Sequence, residues 1–190
     1  MPPVDPIVLG IDPGSHNTGY GLVTQEGSRL IHLQSGTIQA PSKASLEKRL
    51  RFLYEELIRV IRRSTPSVMS IEAVFYAKNV RSVVALAHAR GVALLAAAQM
   101  NLPVAEYSPL EVKQSTVGYG RATKEQVAAM MSRLFHLPSE GTPLGTDRTD
   151  ALAVALCHLN ISQTRNRLRL TDTDLSLRPR STKNYRWKSL

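Results

Sequence analysis

Residues 7–11, Ile-Val-Leu-Gly-Ile, form a short apolar run that stops at Asp12-Pro13-Gly14. A β-branched run closed by turn residues predicts a buried strand. Two more strands are predicted at Thr18–Thr24 and Arg29–Gln39, with Glu26-Gly27-Ser28 as a hairpin turn between them. The period then changes. Over residues 45–63, Leu46, Leu50, Leu53, Leu57, Ile58 and Ile61 recur at the spacing of one helical face, with Arg and Glu opposite. Val68–Glu72 reads as a strand, Ser82–Met100 as a long Ala-rich helix and Val104–Tyr107 as a fifth strand. Helices at Lys124–Phe135 and from Arg148 to about Ile161 complete the body. A hairpin meander followed by β-α alternation predicts an α/β fold: a mixed sheet of five strands flanked by helices. No internal repeat interrupts that order.

The helix over 82–100 departs from the one-sided pattern. Val83, Val84, Leu86, Ala87, Leu94, Leu95 and Ala98 make it apolar on several faces, so it needs cover on several sides. A sheet beneath and a second subunit above would supply that cover, with Ala87, Gly91 and Ala98 allowing close approach of helices. Burial under another helix of the same chain would supply it too.

Composition narrows the partners. The chain has 190 residues, 43% of them hydrophobic, enough for one domain with a sizeable core. Lys and Arg number 24 against 15 Asp and Glu, a net charge of +9 that favours an anionic polymer over a neutral metabolite. The excess is uneven. Residues 165–190 hold Arg165, Arg167, Arg169, Arg178, Arg180, Lys183, Arg186 and Lys188 against Asp172 and Asp174. The expected organisation is therefore a body over 1–164 and a flexible basic tail over 165–190. Cys157 is the single cysteine, which excludes an internal disulfide and a cysteine-built zinc site. The longest apolar run, Gly91–Ala98, is far short of the roughly 20 residues that span a bilayer. Met1-Pro-Pro-Val-Asp-Pro6 lacks the basic and apolar segments of a signal peptide. A cytoplasmic protein with no membrane partner is the expectation.

Four carboxylates stand where a core has no use for them. Asp12 ends the first predicted strand and Glu72 the fourth, and strand ends on one sheet edge are where α/β proteins place ligands. Asp147 and Asp150 open the last helix at i and i+3, so they share one face of its first turn. Singly, each has a plain reading: a turn residue, a strand terminus, a helix cap, a dipole partner. Together they would repel one another without a cation, and hard oxygen ligands suit Mg²⁺ or Mn²⁺. Two such ions, roughly 3.5–4 Å apart, can activate a water and stabilise the leaving oxygen of a phosphodiester.

Gly10-Ile-Asp-Pro-Gly-Ser15 with Thr18-Gly-Tyr-Gly21, Ile71-Glu-Ala-Val-Phe-Tyr-Ala-Lys-Asn79, Ala89-Arg-Gly-Val-Ala93, Val112-Lys-Gln114 with Val117-Gly118, and Asp150-Ala-Leu-Ala153 closely resemble the RuvC family of Holliday-junction resolvases. The matches are ordered and spread over residues 7–160. The resemblance implies a ribonuclease H-like fold and a homodimeric, metal-dependent endonuclease that nicks four-way DNA junctions symmetrically in recombination and repair. It implies two Mg²⁺ or Mn²⁺ ions per site on Asp12, Glu72, Asp147 and Asp150, and a branch-migration helicase complex as partner. It also gives Phe75 the role of stacking on an unpaired base, and gives Lys113 and Lys124 phosphate contacts near the scissile bond. Lys78, Arg81 and Arg121 extend the basic patch. His16 stands where many relatives carry Arg, so a phosphate contact there would carry a pH-dependent charge.

Rival readings make different demands. The Gly-rich hairpin over 10–21 also resembles the phosphate loop of actin-type ATPases, which need a second lobe and a second loop. A ribonuclease of the same fold would cut structured RNA or hybrids. A non-enzymatic DNA-binding protein would keep the basic tail and have no need of four converging acids.

Overall fold

The computed structural model of the chain describes residues 6–73, 80–137 and 146–167. Strand β1 (Val8–Asp12) alternates strictly: Leu9 and Ile11 face one side of the sheet, Val8, Gly10 and Asp12 the other. Strands β2 (Asn17–Glu26) and β3 (Arg29–Gln39) follow as an antiparallel hairpin. Its two-residue turn places Gly27 at φ 59°, a conformation that costs glycine nothing. β4 (Val68–Glu72) lies parallel to β1, and β5 (Val104–Tyr107) parallel to β4. The sheet order is β3-β2-β1-β4-β5, mixed and five-stranded as the element order predicts. Because β1, β4 and β5 run the same way, all three end on one edge.

Two helices cover the first face. α1 (Leu46–Ser64) buries the predicted stripe through Leu53, Leu57, Ile58 and Ile61. α2 (Val80–Gln99) turns Ala89, Ala93, Ala96 and Ala97 inward. Between them and Leu9, Ile11, Leu22, Met69 and Ile71 lies one hydrophobic core.

The second face carries α3 (Pro109–Val117), α4 (Lys124–Leu134) and α5 (Thr146–Arg167). α3 is absent from the periodicity reading, since its nine residues show no apolar stripe. Its signal is local instead: Ser108 and Glu111 form a reciprocal capping box with Pro109 in the first turn. α5 extends on both sides of its predicted span and is buried without a break from Ala151 to Cys157. It lies on β1 and β2 below, with α3 and α4 alongside. That close seating needs glycine: a Cβ on Gly10 would stand 2.0 Å from the Ala151 carbonyl oxygen. No helix among the described residues is long and apolar enough to cross a membrane.

Candidate active site

Two strand ends and one helix start converge at the edge where β1 and β4 finish. Ile11 pairs with Ile71 across the parallel ladder, so the next residues, Asp12 and Glu72, stand side by side. The period of two turns both toward α5, whose first turn carries Asp147 and Asp150. Asp12, Glu72 and Asp150 line a cavity of about 110 Å³ with Lys113 of α3 and Lys124 of α4. Pro109, Val112, Val127 and Ala153 give that cavity an apolar wall. Asp147 does not line it, yet its charge reaches Asp12.

The electrostatics follow from this crowding. Burial, then the carboxylates of Asp150, Glu72 and Asp147, push the Asp12 carboxyl up to about 7. Burial and Asp150 also raise Glu72. Lys124 answers part of the negative charge: its Nζ donates to Asp150 Oδ2 at 3.1 Å, and that bond raises the ammonium's own pKa. Among the described residues, no three His, Cys, Asp or Glu side chains already enclose a point where an ion could sit. The acids ring a cavity, and Asp150 is turned to a lysine. By chemistry the set still fits a hard divalent cation, because it offers only carboxylate oxygens and its central member is held near neutrality for want of positive charge.

The structure brings Asp12, Glu72, Asp150, Lys113 and Lys124 to one cavity. It does not bring His16 or Arg121 there. His16 is exposed between β1 and β2, its carbonyl accepting from Ala40 N at 2.8 Å, and Arg121 is exposed between α3 and α4. Phe75, Lys78, the side chain of Arg81 and the tail beyond Arg167 lie outside the described residues. His158 meets Tyr107 Oη through Nδ1 at 2.8 Å. Cys157 is buried, and burial pushes its thiol up to about 12. The glycines an ATPase phosphate loop would open to nucleotide are already filled. The space at Gly10 is taken by Ala151, and at Gly21 by Leu152.

Comparison with known proteins accords with this geometry. Residues 8–158 match the family model described as crossover junction endodeoxyribonuclease RuvC. A relative of that name from Syntrophotalea carbinolica is 49% identical over 151 residues, 80% of this chain and 92% of its own length. One from Geobacter sulfurreducens is 46% identical over 162 residues, 85% of this chain and 97% of that one. Among solved structures, T. thermophilus RuvC in complex with Holliday junction substrate superposes with a TM-score of 0.76 at 29% identity, covering 84% and 96% of the two chains. A yeast mitochondrial Holliday junction resolvase superposes at 0.61 and 17% identity, covering 88% and 86%, a likeness of fold. The ribonuclease H-like architecture is thereby fixed.

Proposed function

The chain belongs to the RuvC family of crossover junction endodeoxyribonucleases, and from that premise we propose that Asp12, Glu72, Asp147 and Asp150 hold two Mg²⁺ or Mn²⁺ ions. The protein is a Holliday-junction endonuclease of DNA recombination and repair, dependent as its family is on divalent metal. One observation carries the site assignment. A carboxyl raised to about 7 by burial and three neighbouring carboxylates is short of positive charge, and a divalent cation supplies it.

Bound ions would polarise the scissile phosphate, activate a water and stabilise the departing oxygen. The chain's own groups do the rest. Val112, Val127 and Ala153 keep bulk water from one side of the cavity, which strengthens every charge interaction within it. Lys113 and Lys124 on its rim offer ammonium groups to the phosphates flanking the cut. Lys124 gives one of its three N–H donors to Asp150 and keeps the others for phosphate. His16, Arg121, Lys78 and Arg81 would extend the phosphate contacts outward, Phe75 would stack on an unpaired base, and the tail over 165–190 would add sequence-independent affinity to the body over 1–164.

Symmetric nicking needs two sites related by a two-fold axis. The outward face of α2 supports a homodimer: Val84 and Leu95 are 47% and 57% exposed, with Ala87, Gly91 and Ala98 in the same stripe. Leu95→Glu should give a monomer in sedimentation that no longer makes paired cuts. The family resemblance also supports a branch-migration helicase complex as partner and a cytoplasmic place of work.

The test of function is direct. Labelled four-way junction, linear duplex and RNA–DNA hybrid are incubated with Mg²⁺, Mn²⁺ or EDTA. Paired, metal-dependent nicks confined to the junction are expected. Cleavage of the hybrid in preference, or cleavage in EDTA, would overturn the reading.

A further inference from the structure

We infer that Gly19 is a positioning residue for the acid site: its missing side chain sets how deeply α5 seats, and so where Asp147 and Asp150 stand over Asp12 and Glu72. This rests on the metal-site reading above and deepens it.

Three rungs of the sheet face α5. The first is bulky, with Val23, Val8 and Val68 in register. The next runs Gly21, Gly10, Ser70 and Ala105, with nothing larger than a hydroxymethyl group. The last holds Gly19 opposite Asp12 and Tyr107 opposite Glu72. α5 lies across this trough. In the middle rung its backbone presses on Gly10 through Ala151 and its side chain on Gly21 through Leu152. At the level of the acids, the Asp147 carbonyl oxygen fills the place of the Gly19 side chain, 1.9 Å from where a Cβ would be.

The identity of that neighbour decides the consequence. At Gly21 the two nearest atoms belong to the Leu152 side chain, at 2.7 and 2.9 Å, and helix backbone comes only to 3.1 Å, at the Leu152 Cα. At Gly19 they are helix backbone, Asp147 O and C, which cannot step aside without the turn that bears them. Ordinary contact begins near 3.4 Å, so an alanine at this position forces the first turn of α5 and strand β2 apart. That turn carries Asp147 and, three residues on, Asp150. Metal–ligand distances tolerate only about 0.2 Å. Gly19 itself touches no reacting atom.

The readout is Mn²⁺ binding to the full metal-free chain without DNA, followed by electron paramagnetic resonance of free Mn²⁺, beside thermal melts. Gly19→Ala is expected to weaken Mn²⁺ binding about tenfold or more. Leu57→Ala, in the opposite layer, lowers the melting temperature and leaves Mn²⁺ affinity as in the parent. Asp12→Asn tests the underlying site: parental Mn²⁺ binding there sinks the metal-site reading, and the Gly19 role with it. Lost binding in Asp12→Asn with parental affinity in folded Gly19→Ala overturns the Gly19 role alone. If Gly19→Ala does not fold, Gly21→Ala decides. It lifts the same helix through Leu152 and should weaken Mn²⁺ binding less, and Gly21→Ala/Leu152→Ala should regain affinity while losing further stability. Affinity that merely follows stability through this series overturns the proposal.

Discussion

The two faces of the sheet are built from alternate residues of the same strands and do different work. Toward α1 and α2 the strands present Leu9, Ile11, Leu22, Met69 and Ile71, side chains that fill space. Toward α5 the same strands present Gly10, Gly19, Gly21 and Ser70, then Asp12 and Glu72 at the edge. Both layers gain stability from buried apolar area, the second through Val8, Val23, Met131, Leu152 and Leu156. Past its valine rung the second also gives up side-chain volume at Gly10, Gly19 and Gly21 so that a helix backbone can come close, and it gathers like charges that repel. The acid site is thus separated from the α1–α2 core by the thickness of one sheet.

That separation can be broken most sharply at Asp12. Asp12→Asn should cost at least about a thousandfold in junction cleavage while the chain folds and binds junction DNA. Undiminished cleavage would remove the acid layer from the chemistry.

Next in size is pH. Asp12 has a folded value of about 7 against an ordinary 3.8. Between those values the unfolded chain has released its proton and the folded chain retains one, so metal-free stability falls as pH rises. The group's contribution reaches roughly 4 kcal/mol, about 1.4 per pH unit, and divalent metal should restore more stability at pH 8 than at pH 5. Melting in EDTA across that range checks it. A metal-free melting temperature that climbs from pH 5 to pH 7 would contradict it.

Leu57→Ala tests the other layer. It should cost about 2–5 kcal/mol in denaturant unfolding by the same amount at pH 5 and pH 8, with cleavage per folded molecule unchanged. Smallest is Ser70, whose buried hydroxyl has no partner among the described residues. Ser70→Ala should be neutral or stabilising by less than about 1 kcal/mol, and Ser70→Val should unseat α5. A clear loss in Ser70→Ala would mean that the hydroxyl, rather than its small size, matters there.

The filled layer was the more legible in sequence. Leu46 to Ile61 spell out α1 because one of its faces is wet, and wet faces create periodicity. α5 is buried on every side, so its boundaries were blurred and nothing in its pattern named its neighbours. α3 was missed for a related reason, since nine residues without a stripe leave only the Ser108–Glu111 cap to betray a helix. The four acids stood out because ionised groups at strand ends and a helix start have no packing role. Which cavity they line, and that Lys124 neutralises Asp150, required the tertiary fold. The glycines read as a loop motif; only the arrival of α5 shows what their missing side chains admit.

The long seam between α5 and the first strands also orders events during synthesis. Asp147 follows Asp12 by 135 positions, and nearly every other element is translated in between. A nascent chain that has emerged only through α4 presents the trough with no helix in it and two acids without their counterparts. Contacts of such sequence separation form late. A half-made chain is therefore a nuclease without a blade, and α5, the last helix among the described residues, is the one that arms it.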